Sequence, residues 1–233
     1  ILDDKGKFTI KRRSQKNEEI ILTASDGSST TDFPIIVSIS ADMITTDEKY
    51  YALVIGNNNY STACSGECWP DLDTAINDAN VIAEVLERKY NFEVTKLINK
   101  NYTETRKTLF TMREKLKPNE NLLIYYAGHG QIDLKENSGY LIPVDGEMDN
   151  NLNWINNDEI IRNLKATEAK HVLVMLDSCF SGSLLRGSEK INKINVNPNS
   201  FKRGQALKAR LIITSGGNEP VIDGVGGKHS LFA

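Results

Sequence analysis

Apolar and polar positions follow two different rhythms along this chain, and the change falls near residue 45. Before it, KFTIKR, EEIILTASDG and FPIIVSIS alternate with the period of two expected of half-buried strands, and DGSSTTD supplies turn residues between the last two. So short a stretch buries little core, so residues 1–44 read as a β segment, the end of an Ig-like or similar β domain, rather than an independent domain. TTDEK then forms a hydrophilic joint. Beyond it, continuous apolar runs are separated by segments of helical period. YYALVIG (50–56), FEVTKLI (92–98), NLLIYYAG (121–128), HVLVMLD (171–177) and ARLIITS (209–215) predict strands. AINDANVIAEVLERKY (75–90), TETRKTLFTMREKL (103–116) and NDEIIRNLKA (157–166) predict helices between them. Strands that are apolar at nearly every position need cover on both faces. The order therefore predicts an α/β, three-layer domain over 45–233 with a mostly parallel central sheet.

The bulk numbers narrow the partners. The 233 residues carry 25% charged and 39% hydrophobic residues and a formal net charge of -3, which gives no electrostatic reason to expect nucleic acid or an anionic membrane surface. No apolar run approaches bilayer-spanning length. The start ILDDKGKFTI has neither an initiating Met nor a signal-peptide pattern, so the chain is expected to be a piece of something longer. The residues leave the compartment open, with the cytoplasm taken first and an extracytoplasmic site second. Two of the three cysteines, Cys64 and Cys68, stand in ACSGECW. Their spacing could serve half a zinc site, but no second Cys or His pair completes four ligands, which leaves two free thiols or a local bridge.

In an open parallel sheet, ligands bind beyond the carboxyl ends of the strands. Three strand ends are conspicuous here: GNNNY after the first, AGHGQ after the third and DSCFSG after the fourth. His129 and Cys179 each stand just past a buried strand, so both are expected to emerge on one edge of the sheet. A thiolate is the reactive form of cysteine, and a nearby imidazole with turn amides supplies it near neutrality. Gly128, Gly130, Ser181 and Gly182 leave backbone amides approachable for a developing oxyanion. Singly, such a Cys is most often a small buried hydrophobe and such a His a turn residue; together they favour catalysis.

GHG and DSCFSG, with 50 residues from His129 to Cys179, resemble the caspase-like clan of cysteine peptidases, in particular the metacaspases and their bacterial relatives. The His spacing matches the caspase signature, while the local pattern is closer to the metacaspase form D-S-C-x-S-G. The resemblance spans roughly residues 50–233 and includes YALVIGNNNY, INDA, YYAGHG, YLIPVD and GGKHSLFA. It implies a Cys/His dyad endopeptidase: His129 as general base and then acid, Cys179 as nucleophile, and the N–H groups of Gly130 and Cys179 as oxyanion donors.

The resemblance also speaks to specificity. Caspases that cut after aspartate carry an arginine directly after the catalytic Cys, where this chain has Phe180. Metacaspases line the primary pocket with an acid in an N-D-A motif and another two residues before the Cys; the matching positions are Asp78 and Asp177. Paired carboxylates suit a guanidinium or ammonium, so a protein or peptide substrate with Arg or Lys before the cut bond is expected. The bland alternatives are a solvated helix acid for Asp78 and a strand-end cap for Asp177.

Between Gly182 and Ala209 lies a long polar segment with Arg186, Lys190, Lys193, Lys202, Arg203 and Lys208. Such a segment is either a solvated loop or the place where an Arg/Lys-specific zymogen cuts itself, the first five residues being the candidates. Many metacaspases bind calcium through acids around a D-D-E-I-like segment and past the catalytic Cys. Here Asp158 and Glu159 remain, but Asn157 replaces an acid and Arg186 stands beyond Cys179, so no cofactor is expected and calcium dependence is weak or nil. Two other functions compete. A silent caspase-like adaptor usually lacks the Cys or His, and both are present; an α/β-hydrolase places its nucleophile before the His, the reverse of the order here. The leading β segment points to an upstream sensor or regulatory domain.

Overall fold

A computed structural model describes residues 18–25, 30–37, 48–136, 138–178, 208–215 and 229–230. The chain divides into two compact units near residue 47. In the first, β1 (Glu18–Ser25) and β2 (Thr30–Val37) pair as an antiparallel hairpin in register from Glu18↔Val37 to Ser25↔Thr30.

The second unit carries the chemistry. β3 (Tyr50–Gly56), β4 (Glu93–Ile98), β5 (Asn121–Ala127), β9 (His171–Asp177) and β10 (Ala209–Thr214) form a parallel sheet in the order β10-β9-β5-β3-β4. Side chains alternate across it. Leu53, Ile55, Leu122, Ile124, Val174 and Leu176 point to one face and pack with Ile160 and Leu164 of α3 (Asn157–Ala166), while Leu109 of α2 (Tyr102–Lys115) lies against the same cluster. Ala52, Val54, Leu123 and Tyr125 point to the other, under Ala75, Ala79, Ala83 and Leu86 of α1 (Ala75–Tyr90). Helices thus cover both faces, as the apolar strands require.

The predicted α/β three-layer arrangement is found, with ends displaced by a residue where caps intervene. Asn101 accepts from the N–H of Glu104 at 2.8 Å and starts α2 one residue early; Asn156 caps α3 by accepting from Asp158 N–H at 2.7 Å. The edge strand β10 is less covered than the apolar pattern implies, for its Leu211 and Ile213 are exposed. A small antiparallel sheet was not anticipated: β6 (Gly130–Asp133), β7 (Ser138–Leu141) and β8 (Ile155–Asn156), in the order β6-β7-β8. Its strands are too short and polar to show a period. Among the described residues no helix is long and apolar enough to cross a membrane.

Candidate active site

The parallel register sets Gly56, Ala127 and Asp177 side by side at the carboxyl edge of the sheet. The β5 and β9 ends are tied there by the N–H of Gly128 donating to the Asp177 carbonyl at 3.4 Å. The residues just after β3 and β5, and Ser178 after β9, therefore emerge in one place.

His129 follows β5 by two residues, and two buried tyrosines clamp its backbone. The Tyr60 hydroxyl accepts from His129 N–H at 2.9 Å and donates to the Ile142 carbonyl at 3.1 Å. The Tyr126 hydroxyl donates between the carbonyls of His129, 2.7 Å away, and Ile142, 2.9 Å away. Burial lifts both phenols well above their ordinary pKa, so they stay protonated donors at any physiological pH. The clamp also explains Gly128: a Cβ there would lie 2.7 Å from the Tyr126 hydroxyl and 2.8 Å from that of Tyr60.

The imidazole is held as well. Nε2 of His129 is 2.8 Å from the carbonyl oxygen of Pro70, and its ring packs against Tyr60 and Trp69 with centroids 4.7 and 5.2 Å away. A carbonyl offers no proton, so Nε2 must carry one, and in the neutral ring Nδ1 is then the basic nitrogen. The His129 carbonyl accepts from Ile142 N–H at 3.0 Å. In an antiparallel ladder the next residue faces the other way, so Gly130 turns its N–H away from β7.

The two acids converge. Asp78, in the first turn of α1, has 0% exposure, and Asp177, the last residue of β9, has 7%. Ser230 bridges them: its N–H donates to Asp78 Oδ2 at 3.1 Å and its hydroxyl donates to Asp177 Oδ2. Tyr125 donates to the same Asp177 oxygen at 3.4 Å, and Nδ1 of His229 lies 2.6 Å from Asp78 Oδ1. Burial raises the Asp177 pKa and the nearby Asp78 charge pushes the same way, while the Ser230 and Tyr125 hydroxyls oppose the shift. Neither acid is a solvated surface group, so the first bland alternative for Asp78 is removed.

Close packing brings Asp78 to the edge. At Gly56 a Cβ would lie 2.6 Å from that of Ala79 and 2.7 Å from the Ala75 carbonyl, so α1 rests almost on the β3 backbone. The GNNNY loop completes the seat: Asn58 Oδ1 accepts from Ile76 N–H at 3.0 Å, and Asn99 Oδ1 accepts from Asn58 and Asn59 N–H at 2.9 and 3.1 Å. That strand end, conspicuous in sequence, positions a helix.

Cys179, the autocleavage candidates Arg186, Lys190, Lys193, Lys202 and Arg203, and also Phe180 lie outside the described residues; the described chain runs to Ser178, one bond from Cys179. In the D-D-E-I-like segment, Glu159 is engaged by Arg106 at 2.6 Å, and Asn157 is buried. Among the described residues no three His, Cys, Asp or Glu side chains are grouped to hold a metal. Cys64 and Cys68 form the local bridge, a disulfide with Cα atoms 5.7 Å apart.

Sequence reasoning missed His229, Ser230, Tyr60 and the Pro70 carbonyl. GGKHSLFA carried a resemblance but no chemistry of its own, and a backbone carbonyl leaves no trace in residue type. A partial signal existed for Tyr60, a lone aromatic ending the polar GNNNY run.

The sequence profile of the caspase domain matches residues 49–219. Among solved structures, the crystal structure of protein GSU0716 from Geobacter sulfurreducens superposes with a TM-score of 0.55 at 21% identity, covering 78% of this chain and 77% of that one. Pro-sf-caspase-1 aligns with a TM-score of 0.39 at 15% identity over 63% of this chain and 54% of that one. No curated protein matches. The GSU0716 likeness supports the α/β fold, and the profile covers most of the chain, including β3, β5, β9 and the acids on their edge: the chain belongs to the caspase-domain family of C14 peptidases.

Proposed function

We propose that this chain is a cysteine endopeptidase of metacaspase type that cleaves after Arg or Lys. The observation that carries the proposal is the meeting of two buried carboxylates, Asp78 and Asp177, at the sheet edge where His129 is held by the Pro70 carbonyl. Buried acids with no Lys or Arg among their described contacts favour a ligand that brings positive charge. A guanidinium offers a planar fork of donors to two carboxylates; an ammonium offers three.

In the proposed mechanism Nδ1 of His129 takes the proton of the Cys179 thiol. The sulfur attacks the carbonyl carbon of the bond after the basic residue, and the N–H groups of Gly130 and Cys179 hold the oxyanion. His129 returns the proton to the leaving amine, and a water, deprotonated by the same nitrogen, hydrolyses the thioester. The hydrogen bond from Nε2 to Pro70 keeps the ring in the tautomer this sequence needs and stabilises the imidazolium formed on the way. The same specificity directed at the 183–208 segment makes the protein its own substrate, as a zymogen that matures by cutting at Arg186, Lys190, Lys193, Lys202 or Arg203.

Peptides ending in Arg, Lys or Asp before a fluorophore test the proposal. Hydrolysis of the Arg and Lys peptides, abolished in Cys179→Ala, is expected, with the two-fragment pattern on a denaturing gel lost in the same variant. Preference for the Asp peptide would overturn the pocket assignment, and hydrolysis undiminished in Cys179→Ala would overturn the nucleophile.

A further inference from the structure

The His129 ring is held from a loop that contains the disulfide. Residues 60–71 are closed at their base by Asp71, whose carboxylate accepts from the N–H groups of Tyr60 at 2.7 Å and Ser61 at 2.8 Å and from the Ser61 hydroxyl at 2.8 Å. Inside this closure the half-buried Cys64 and Cys68 are joined. The bridged turn is fastened to a neighbouring segment: Cys68 and Glu147 form an antiparallel bridge, Met148 N–H donates to the Glu67 carbonyl at 2.7 Å, and the Ser65 hydroxyl donates to Glu147 at 3.0 Å. The next two residues after Cys68 are the ones that touch the imidazole. Trp69 packs against the ring, and Pro70 supplies the carbonyl that fixes its proton.

We propose that the Cys64–Cys68 disulfide is a reversible redox site that governs the base at His129 by setting the position of Trp69 and Pro70; this rests on the reading of His129 as general base. With the bridge closed, the short ring from Cys64 to Cys68 fixes the turn from which Trp69 and Pro70 depart. A dithiol reductant opens it in two exchanges: one thiolate attacks a bridge sulfur and releases the other as a thiol, then the second thiol of the reductant displaces the mixed disulfide. The reductant leaves as its own disulfide, and Cys64 and Cys68 gain its two electrons and two protons as thiols. The turn then gains freedom, Pro70 no longer holds the Nε2 proton, and the imidazole populates the Nδ1–H tautomer, which cannot accept a proton from the nucleophile. Activity is thereby confined to conditions that keep this pair oxidised and Cys179 a thiol.

The chain has three cysteines and three histidines, which makes the test clean. In Cys179→Ala protein the bridge holds the only remaining sulfhydryl chemistry, and long-range proton–nitrogen spectra of the imidazoles, assigned with His129→Gln, report the tautomer of His129. The oxidised protein should show the Nε2–H pattern. After dithiothreitol, with opening confirmed by alkylation and mass spectrometry, the two ring nitrogens of His129 should move toward each other while His171 and His229 stay in place. With Cys179 intact, Cys64→Ser/Cys68→Ser should lower kcat about tenfold and leave KM within twofold of wild type held in a glutathione buffer that keeps the bridge closed. His129 signals unchanged by opening of the bridge overturn the inference, whether or not the double-serine protein folds. A tautomer change in a protein that hydrolyses no peptide overturns the functional reading alone.

Discussion

Replacing Asp177 by Asn should move activity and stability in opposite directions, because burial disfavours its charge and the proposed cationic substrate would relieve that cost. Asparagine keeps the size and an acceptor for Ser230 and Tyr125, so the change removes mainly the charge. A carboxylate and a guanidinium about 4 Å apart at an effective dielectric of about 20 attract by about 4 kcal/mol before desolvation. Hydrogen bonds to charged groups net about 1.5–3 kcal/mol, so kcat/KM on an Arg peptide should fall roughly 10- to 150-fold. Stability follows from the raised pKa of Asp177. A carboxyl with a higher pKa folded than unfolded binds its proton more tightly in the native state. Its stabilisation is complete below the unfolded carboxylate pKa and is lost as pH rises through the folded value. At neutral pH the ionised group therefore weakens the fold, and Asn should add ~1 kcal/mol, about 2–4 °C in Tm. Near pH 3, where wild-type Asp177 is protonated, the gain should vanish. Thermal melts at pH 3 and 7, with kinetics on Arg and uncharged peptides, make the assay. An Asn variant that keeps wild-type kcat/KM on Arg peptides, or loses as much on uncharged ones, refutes the pocket; one whose gain over wild type is no larger at pH 7 than at pH 3 refutes the electrostatic argument.

The clamp on His129 yields two further predictions. Gly128→Ala puts a methyl within 2.8 Å of both tyrosine hydroxyls, and repacking should cost about 1–3 kcal/mol in urea unfolding together with most of the activity. Tyr60→Phe removes the acceptor of His129 N–H and the donor to Ile142, so a loss of about 1–3 kcal/mol is expected by the same measurement, with kcat lowered and KM little changed.

The central strands were legible because a buried parallel strand must be apolar at nearly every position, and β3, β5 and β9 are. The edge they share followed from the same pattern, since parallel strands all end on one side. Asp78 and Asp177 were found through the family resemblance, whereas the residues that join them were not: Ser230 and His229 come from a distant stretch with no period of its own. The short β6, β7 and β8 escaped because strands of four, four and two residues carry too few alternations to be seen. Asn58 was noticed for its place after a strand and turned out to cap α1, a role that depends on which helix the chain brings to it.

The most direct measurement of the central claim is covalent labelling by an arginyl chloromethylketone followed by peptide mapping. The account predicts a single adduct on the sulfur of Cys179, formed at least a hundredfold more slowly in His129→Ala and slowed in Asp177→Asn, with an aspartyl analogue inert. Equal labelling in wild type and His129→Ala, or an adduct on any other residue, would contradict it.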